Sequence, residues 1–128
     1  MILDTNALSA FADADEDLLS VLGGTPEICL PVIVLAEYRY GFAKSRYYSK
    51  YRQWLARDLH LFRILEISEA TTIHYAEIRS NLKAQGTPIP ANDCWIASLA
   101  RQHRLPVVSR DAPFDSVKGI RRFSWQRF

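Results

Sequence analysis

Two acidic residues follow predicted strands in a way that suits ligand binding. Asp4 comes directly after the apolar residues Met1–Leu3, and Asp111 follows the apolar run "LPVVS" (Leu105–Ser109) after one further residue. Asp115 lies in the same loop as Asp111. Because parallel sheets bind ligands beyond the carboxyl ends of their strands, Asp4 and Asp111 are expected at the functional edge.

Two further acids lie beside apolar residues of predicted helices, where an unpaired carboxylate is costly. Glu37 shares a helical face with three residues: Ile33, Tyr40 and Gly41. Asp93 is in line with three small or apolar residues: Ile96, Ala97 and Ala100. Taken one at a time, three of these acids have a structural explanation. Asp4 can cap a helix, Asp93 can be stabilised by the helix dipole in a first helical turn, and Asp111 can be a turn residue. Only Glu37 has no such structural explanation.

Together these carboxylates indicate a site for a divalent cation. At an effective dielectric of about 20, each pair of charges at ~4 Å repels by roughly 4 kcal/mol. A divalent cation removes that cost, and oxygen ligands without His or Cys suit Mg²⁺ or Mn²⁺. We therefore predict Asp4, Asp93 and Asp111 as metal ligands, with Glu37 as a fourth catalytic acid.

A carboxylate-held cation suggests chemistry on a phosphodiester. Such an ion activates water and stabilises charge on a phosphoryl oxygen, so no covalent protein intermediate is needed. Twelve of the sixteen basic residues are arginine, the side chain best shaped for phosphate. Three arginines cluster near the C-terminus: Arg121, Arg122 and Arg127. The predicted contacts to the flanking phosphates of such a substrate are Arg39, Arg110, Lys118 and Arg121.

The pattern of elements predicts an α/β fold whose parallel sheet of four to five strands is flanked by helices. The predicted strands are Met1–Leu3, Glu27–Leu30, Leu61–Ile67, Leu105–Ser109 and Gly119–Trp125. The predicted helices are Asn6–Gly23 with a polar interruption at 13–17, Pro31–Phe42, Ser45–Asp58, Ser68–Gln85 with Gly86 as its stop, and Asp93–Arg104 with Asn92 as its cap. A chain of 128 residues suits one domain, residues 1–128.

Composition and local patterns favour a cytoplasmic protein. Only three residues precede Asp4 and no hydrophobic leader segment follows, so no signal peptide is expected. No apolar run is long enough to span a bilayer, so no membrane association is expected. The two cysteines, Cys29 and Cys94, fit a reducing compartment better than a disulfide scaffold.

Four segments resemble the PIN-domain ribonucleases, and most closely the VapC-type toxins of bacterial toxin–antitoxin pairs. The segments are "MILDTNALS", "PVIVLAEYRYG", "GTPIPANDCWIASLA" and "LPVVSRDAPF". They occur in the order and at the spacing of that family, and the resemblance covers essentially the whole chain. It implies a PIN-like fold and a Mg²⁺- or Mn²⁺-dependent endoribonuclease that cuts single-stranded or looped RNA.

The resemblance also assigns individual residues. Asp4, Glu37, Asp93 and Asp111 match the acids of the family motifs, Asn6 matches the amide of the opening motif, and Ser109 matches the hydroxyl before Asp111. Some relatives carry a second acid two residues after the position of Asp111, where this chain has Pro113. Asp115 either substitutes for that acid or belongs to the surface, so the number of metal ions stays open.

The resemblance further implies a homodimer that is silenced by a small VapB-like antitoxin. The segment "EYRYGFAKSRYYSKYRQW" (Glu37–Trp54) offers a candidate docking surface, because seven of its residues are aromatic. The alternatives are that these rings pack on the sheet, or that one or two of them stack on RNA bases.

Other functions fit the residues less well. An aspartyl-phosphate phosphatase needs a second acid two residues after its nucleophile, where this chain has Asn6. A receiver domain needs a phosphoacceptor Asp after its third strand, where this chain has Ser68 and Glu69. The remaining alternatives are a PIN nuclease of RNA processing that is not a toxin, or a PIN-like RNA-binding module without catalysis.

Overall fold

A single parallel sheet of five strands forms the centre of the computed structural model, which describes residues 1–125. The strands are β1 (Ile2–Leu3), β2 (Ile28–Pro31), β3 (Phe62–Leu65), β4 (Val107–Val108) and β5 (Arg122–Phe123). Their order in the sheet is β3-β2-β1-β4-β5, and every neighbouring pair is parallel. The predicted α/β class and the five-stranded sheet are therefore confirmed.

Six α-helices connect and flank these strands. They are α1 (Thr5–Ala12), α2 (Glu16–Leu22), α3 (Val32–Gly41), α4 (Tyr48–Asp58), α5 (Glu69–Gln85) and α6 (Ala91–His103). Two short 3-10 turns add Leu59–Leu61 and Ala112–Ser116. Within residues 1–125, none of the helices has the length and apolarity needed to cross a bilayer.

The first strand is the most deeply buried part of the sheet. Ile2 pairs with Cys29 of β2 on one side and with Val107 of β4 on the other. Ile2 and Leu3 have no exposed surface, because neighbouring strands cover both edges and helices cover the faces. The residue that follows β1 is therefore held at the carboxyl end of the middle strand of the sheet.

The predicted first helix is two helices. Ala14 takes a left-handed backbone (φ 55°), which ends the helical run. The carboxylate of Asp15 then caps α2 by accepting hydrogen bonds from the backbone N–H groups of Asp17 and Leu18, at 3.0 and 3.1 Å. The predicted position of the polar interruption is therefore correct, but the interruption divides the predicted helix into two separate helices.

Other helix boundaries differ by one to three residues. The last helix begins at Ala91 with Pro90 at its N-cap, so the predicted cap at Asn92 was wrong. The proline suits this position because it has no N–H to satisfy. The predicted stop at Gly86 is confirmed, since this glycine adopts the left-handed backbone (φ 73°) that ends α5.

Candidate active site

Asp4 is held at the sheet edge by strand pairing and by a helix N-terminus. Its backbone N–H donates to Val108 O at 3.1 Å, which extends the β1–β4 pairing by one residue. Its carboxylate accepts from the Thr5 N–H at 2.8 Å and from the Ser109 hydroxyl at 2.7 Å. Asp4 is only 3% exposed, and these contacts hold it between the ends of β1 and β4.

Ser109 and Asn6 join the loops that follow β1 and β4. The Ser109 hydroxyl oxygen accepts from the backbone N–H of Asp111 at 3.0 Å and from the Asn6 amide at 3.4 Å. The Asn6 amide oxygen accepts from the backbone N–H of Arg110 at 3.3 Å. The network holds the loop of Asp111 against Asp4, because each of its members bonds to the opposite loop.

Glu37 points into the protein from α3 rather than into solvent. Its Oε2 accepts a hydrogen bond from the Thr5 hydroxyl at 3.3 Å. Its Oε1 is buried and has no hydrogen-bond partner among residues 1–125. The sequence put Tyr40 and Gly41 on the same apolar face, and this was wrong, because Tyr40 is 85% exposed. The buried stripe of α3 instead contains Val34 and Tyr38.

Asp93 completes an electrostatically coupled set of four acids. It lies in the first turn of α6, and burial raises its pKa to about 6, with the charges of Asp4, Asp111 and Glu37 adding to the rise. Burial also raises the pKa of Asp4 above its ordinary value, against the hydrogen bonds from Ser109 and Thr5 that lower it. The charges of Asp111 and Glu37 again add to this rise. The structure thus brings the four predicted catalytic acids together.

The chemistry of these donors fits a hard divalent cation. All four side chains offer carboxylate oxygens, and the buried Oε1 of Glu37 lacks a partner within the protein. Across residues 1–125, however, no three acidic, His or Cys side chains are placed to ligate a common ion. The acids are therefore close enough to repel one another, but their present side-chain positions do not form a ready coordination set.

Asp115 lies outside the coupled set. Its carboxylate accepts two hydrogen bonds from the Arg122 guanidinium, at 2.9 and 2.8 Å, and this pairing holds its pKa below the ordinary value. Arg122 also donates to the backbone oxygen of Ser109 at 3.1 Å. Asp115 is exposed and does not contribute to the raised pKa values of Asp4 or Asp93.

Sequence reasoning missed two residues that support the site. Thr5 contacts both Asp4 and Glu37, through its backbone and its hydroxyl respectively. Its position between Asp4 and Asn6 in the opening motif was an available signal. Arg122 contacts both Asp115 and Ser109, and no local pattern indicated that long-range contact.

The predicted phosphate contacts lie at different ends of the molecule. Arg39, Arg110, Lys118 and Arg121 are all exposed. Arg110 adjoins the acids, because its backbone bonds to Asn6, and its guanidinium lies 5.0 Å from the centre of the Trp125 ring. Arg121 precedes β5, so it lies at the amino ends of the parallel strands, whereas Asp4 lies at their carboxyl ends. The predicted cluster extended to Arg127, which lies outside the described residues.

The aromatic segment divides into a packed part and an exposed part. Four of its rings contact one another: Tyr38, Phe42, Tyr51 and Trp54. Three others have 41–85% of their surface exposed: Tyr40, Tyr47 and Tyr48. The segment thus packs partly on the protein's own helices and exposes three rings, of which Tyr47 lies against the Arg46 guanidinium and Tyr48 beside Phe42.

Comparison with known proteins matches this arrangement to one family. The sequence model of the PIN domain matches residues 1–120. The chain is 32% identical over 131 residues to ribonuclease VapC2 of Rickettsia felis, covering 98% of each protein. It is 34% identical over 122 residues to toxin FitB of Neisseria gonorrhoeae, covering 87% of each.

Solved structures give the same result. The structure of VapBC2 from Rickettsia felis bound to a DNA fragment from its promoter superposes with a TM-score of 0.86 at 28% identity, covering 98% of both chains. The family match, the similarity over nearly the whole chain and the shared fold agree with the resemblance found in the sequence. The chain therefore belongs to the PIN-domain family and is similar to its VapC-type ribonucleases.

Proposed function

We propose that this protein is a Mg²⁺- or Mn²⁺-dependent endoribonuclease and the toxin of a toxin–antitoxin pair. The observation that carries the proposal is the convergence of Asp4, Glu37, Asp93 and Asp111, with no basic group among the charges that raise the pKa values of Asp4 and Asp93. The similar proteins named ribonuclease VapC2 and toxin FitB support both parts of it. The proposed activity on RNA would take place in the cytoplasm.

The metal would be held by Asp4, Asp93 and Asp111. When bound, such an ion lowers the pKa of water and neutralises charge that develops on a phosphoryl oxygen. Ser109 and Thr5 keep the Asp4 carboxylate in one orientation through hydrogen bonds of 2.7 and 2.8 Å. Holding a ligand in this way is the usual role of residues around a metal site.

Glu37 has a different role in this proposal. Thr5 engages one of its carboxylate oxygens and leaves Oε1 free to accept a hydrogen bond. A buried acceptor beside the acids is suited to orient the attacking water and to take its proton. Asn6 acts indirectly, because it ties the loop of Arg110 and Asp111 to the loop of Asp4.

The proposed partner is a small VapB-like antitoxin, and the proposed assembly contains a homodimer of this chain. Solved relatives include VapBC2 from Rickettsia felis, and a structure described as a toxin–antitoxin complex from Klebsiella pneumoniae shares the fold. The exposed rings of Tyr40, Tyr47 and Tyr48 offer apolar area with polar tips, which suits an amphipathic helix of such a partner.

The proposal is tested by sequencing the 5′ ends of RNA fragments that accumulate after expression in a bacterial host. We expect discrete new ends, arrested growth, and rescue by a small protein encoded beside the gene. The Asp4→Asn variant is expected to abolish both effects while folding normally. Active cleavage without growth arrest would identify a PIN nuclease that is not a toxin. Specific RNA binding without cleavage would identify a non-catalytic module.

A further inference from the structure

Arg110 is a basic residue beside the coupled acids whose hydrogen-bond donors are unused. It lies between Ser109 and Asp111, and its backbone N–H donates to the Asn6 amide oxygen at 3.3 Å. The Arg110 side chain is exposed and makes no salt bridge and no hydrogen bond with residues 1–125. A guanidinium carries five N–H donors in a planar fork that matches the oxygens of a phosphate. All five donors of Arg110 are therefore available to a ligand.

Arg122 shows the opposite arrangement in the same part of the molecule. Its Nε and Nη2 atoms donate to the carboxylate of Asp115 at 2.9 and 2.8 Å. Its Nη1 atom donates to the backbone oxygen of Ser109 at 3.1 Å. Each guanidinium nitrogen of Arg122 thus has a partner within the protein. Arg122 holds the loop after β4 in place, whereas Arg110 leaves its charge open to a ligand.

The ring of Trp125 holds the Arg110 guanidinium without using its N–H donors. The guanidinium carbon lies 5.0 Å from the centre of the ring, within the roughly 6 Å over which an aromatic face attracts a cation. Trp125 is 4% exposed, so the ring is a fixed support rather than a mobile surface side chain. A carboxylate in this position would occupy the N–H groups, but an aromatic face does not. The guanidinium is therefore positioned and can still donate hydrogen bonds.

Strand pairing places Trp125 and Arg110 beside the acids. The backbone N–H of Ser109 donates to Phe123 O at 3.0 Å, which joins the carboxyl ends of β4 and β5. The hydroxyl of the same Ser109 donates to Asp4 at 2.7 Å. The charges that shift the pKa of Asp4 are those of other acids, and Arg110 is not among them. The guanidinium thus lies next to the acidic site without neutralising it.

We propose that Arg110, held on the ring of Trp125, binds an RNA phosphate that flanks the one that is cut. The inference rests on the proposed ribonuclease function, and it adds one substrate contact and the residue that positions it. A flanking phosphate needs a cation that is close to the acids but not paired with them, and Arg110 meets both conditions. A carboxylate of a protein partner fits the same fork of donors. RNA is favoured because the guanidinium lies beside the acids proposed to cut it.

The kinetic test measures kcat and KM on a purified single-stranded RNA with one mapped cut site. We expect Arg110→Gln to raise KM about tenfold and to change kcat less than about threefold, because a contact to a flanking phosphate is the same in the ground and transition states. Arg121→Gln is the matched control. Arg121 is also exposed, and its guanidinium also lies over a ring, 5.8 Å from the centre of Phe123, but at the amino ends of the strands. This control should leave both constants essentially unchanged.

A binding test identifies the phosphate. Fluorescence anisotropy in EDTA, which prevents metal-dependent cleavage, compares RNAs that carry a neutral methylphosphonate in place of one flanking phosphate at a time. In the parent we expect one position to weaken binding about tenfold, and in Arg110→Gln we expect that substitution to have no further effect. Arg110→Gln should also reduce the slope of log affinity against log salt concentration by about 0.7, as for one phosphate contact on a single strand.

The positioning role of Trp125 is tested with two substitutions. Trp125→Phe keeps an aromatic face and should keep KM close to that of the parent. Trp125→Leu removes the face and should raise KM towards that of Arg110→Gln. In the Arg110→Gln background, Trp125→Leu should have no further effect on KM, which a purely structural role of the ring would not produce. Melting temperature checks the fold, and if Trp125→Leu does not fold, the methylphosphonate result decides.

Three outcomes separate this proposal from its alternatives. Unchanged KM and salt slope in Arg110→Gln would overturn it and leave the ribonuclease function intact. Unchanged RNA binding in that variant, with loss of co-purification of the small protein encoded beside the gene, would overturn it in favour of a partner carboxylate. If the parent cuts no RNA, the ribonuclease proposal fails, whereas the anisotropy measurement still decides whether Arg110 binds an RNA phosphate.

Discussion

Asp4 and Asp115 both lie in segments that follow a strand, but their carboxylates are in opposite electrostatic environments. Asp4 is buried, has hydroxyl and amide donors but no cationic partner, and has a raised pKa. Asp115 is exposed, is paired with Arg122, and has a lowered pKa. The comparison shows that the chain pairs Asp115 with one of its own guanidinium groups and leaves Asp4 buried without a cationic partner.

The largest expected effect is the loss of cleavage when an unpaired acid is neutralised. Asp4→Asn or Asp93→Asn should reduce the cleavage rate more than about 100-fold, beyond the usual effect of residues that only support metal ligands. Asp115→Asn should change it less than about threefold, because Arg122 already occupies that carboxylate. Rates on a purified RNA in Mg²⁺ measure both. Similar losses at Asp4 and Asp115 would remove the distinction between the two acids.

A smaller effect is expected when Asp4 keeps its charge but loses the hydrogen bond that orients its carboxylate. Ser109→Ala removes a 2.7 Å hydrogen bond to Asp4 and the acceptor for the Asp111 N–H. We expect a loss of about 10–100-fold in metal affinity or activity, as is typical of residues that orient ligands. Ser98→Ala is the matched control, since Ser98 is also buried but bonds within its own helix to Cys94 O. Titration with Mn²⁺ compares the two variants.

The pH dependence of stability should have opposite signs for the two kinds of acid. For metal-free protein, the pKa of Asp93 is raised from 3.8 to about 6, so the folded state holds the proton more tightly than the unfolded state. Its contribution is therefore fully present below the unfolded pKa and is lost as the pH rises through about 6. Asp93→Asn should gain melting temperature relative to the parent across that window.

Melting curves in a chelator, between about pH 4 and pH 8, measure this difference. Adding Mg²⁺ should stabilise the parent at neutral pH, because a ligand that binds only the folded state shifts the equilibrium towards it. It should have little effect on Asp93→Asn. A difference in melting temperature that does not change with pH would argue against the coupling of the four acids.

The smallest expected effect is on the exposed pair. Asp115→Asn should lower the free energy of unfolding by less than about 1 kcal/mol at neutral pH, because exposed ion pairs contribute little. The lowered pKa of Asp115 means that its contribution is present above the unfolded pKa of 3.8 and is lost as the pH falls below it. Urea unfolding at neutral and acidic pH measures both. A loss that is as large at acidic pH as at neutral pH would contradict the assignment.

The parts of the fold that were predictable from sequence depend on local interactions. Gly86 ends α5 because glycine adopts the left-handed backbone at little cost. β1 could be predicted because a short apolar run ends abruptly at an acidic residue. The break after α1 was located within the polar run at 13–17, but its completeness could not be predicted, because the left-handed residue there is Ala14, which carries no sequence signal for that backbone.

The parts that were missed depend on packing between distant segments. The inner face of α3 was assigned partly to Tyr40, but Tyr40 is exposed, and Tyr38 is buried instead against Tyr51 and Trp54 of α4. The pairing of Asp115 with Arg122 needs the turn before β5 to return beside the loop after β4. No helical or strand period encodes such a contact.

The sequence by itself determined the alternation of strands and helices, the family, and the four acids that are candidates for catalysis, because short motifs and apolar runs carry that information. Only the tertiary structure decided which acids stay unpaired, that Thr5 links Asp4 to Glu37, and that the Arg110 guanidinium lies over the Trp125 ring. The physical reason is that burial and charge pairing depend on the distance between residues, and that distance is set by how the strands and helices pack.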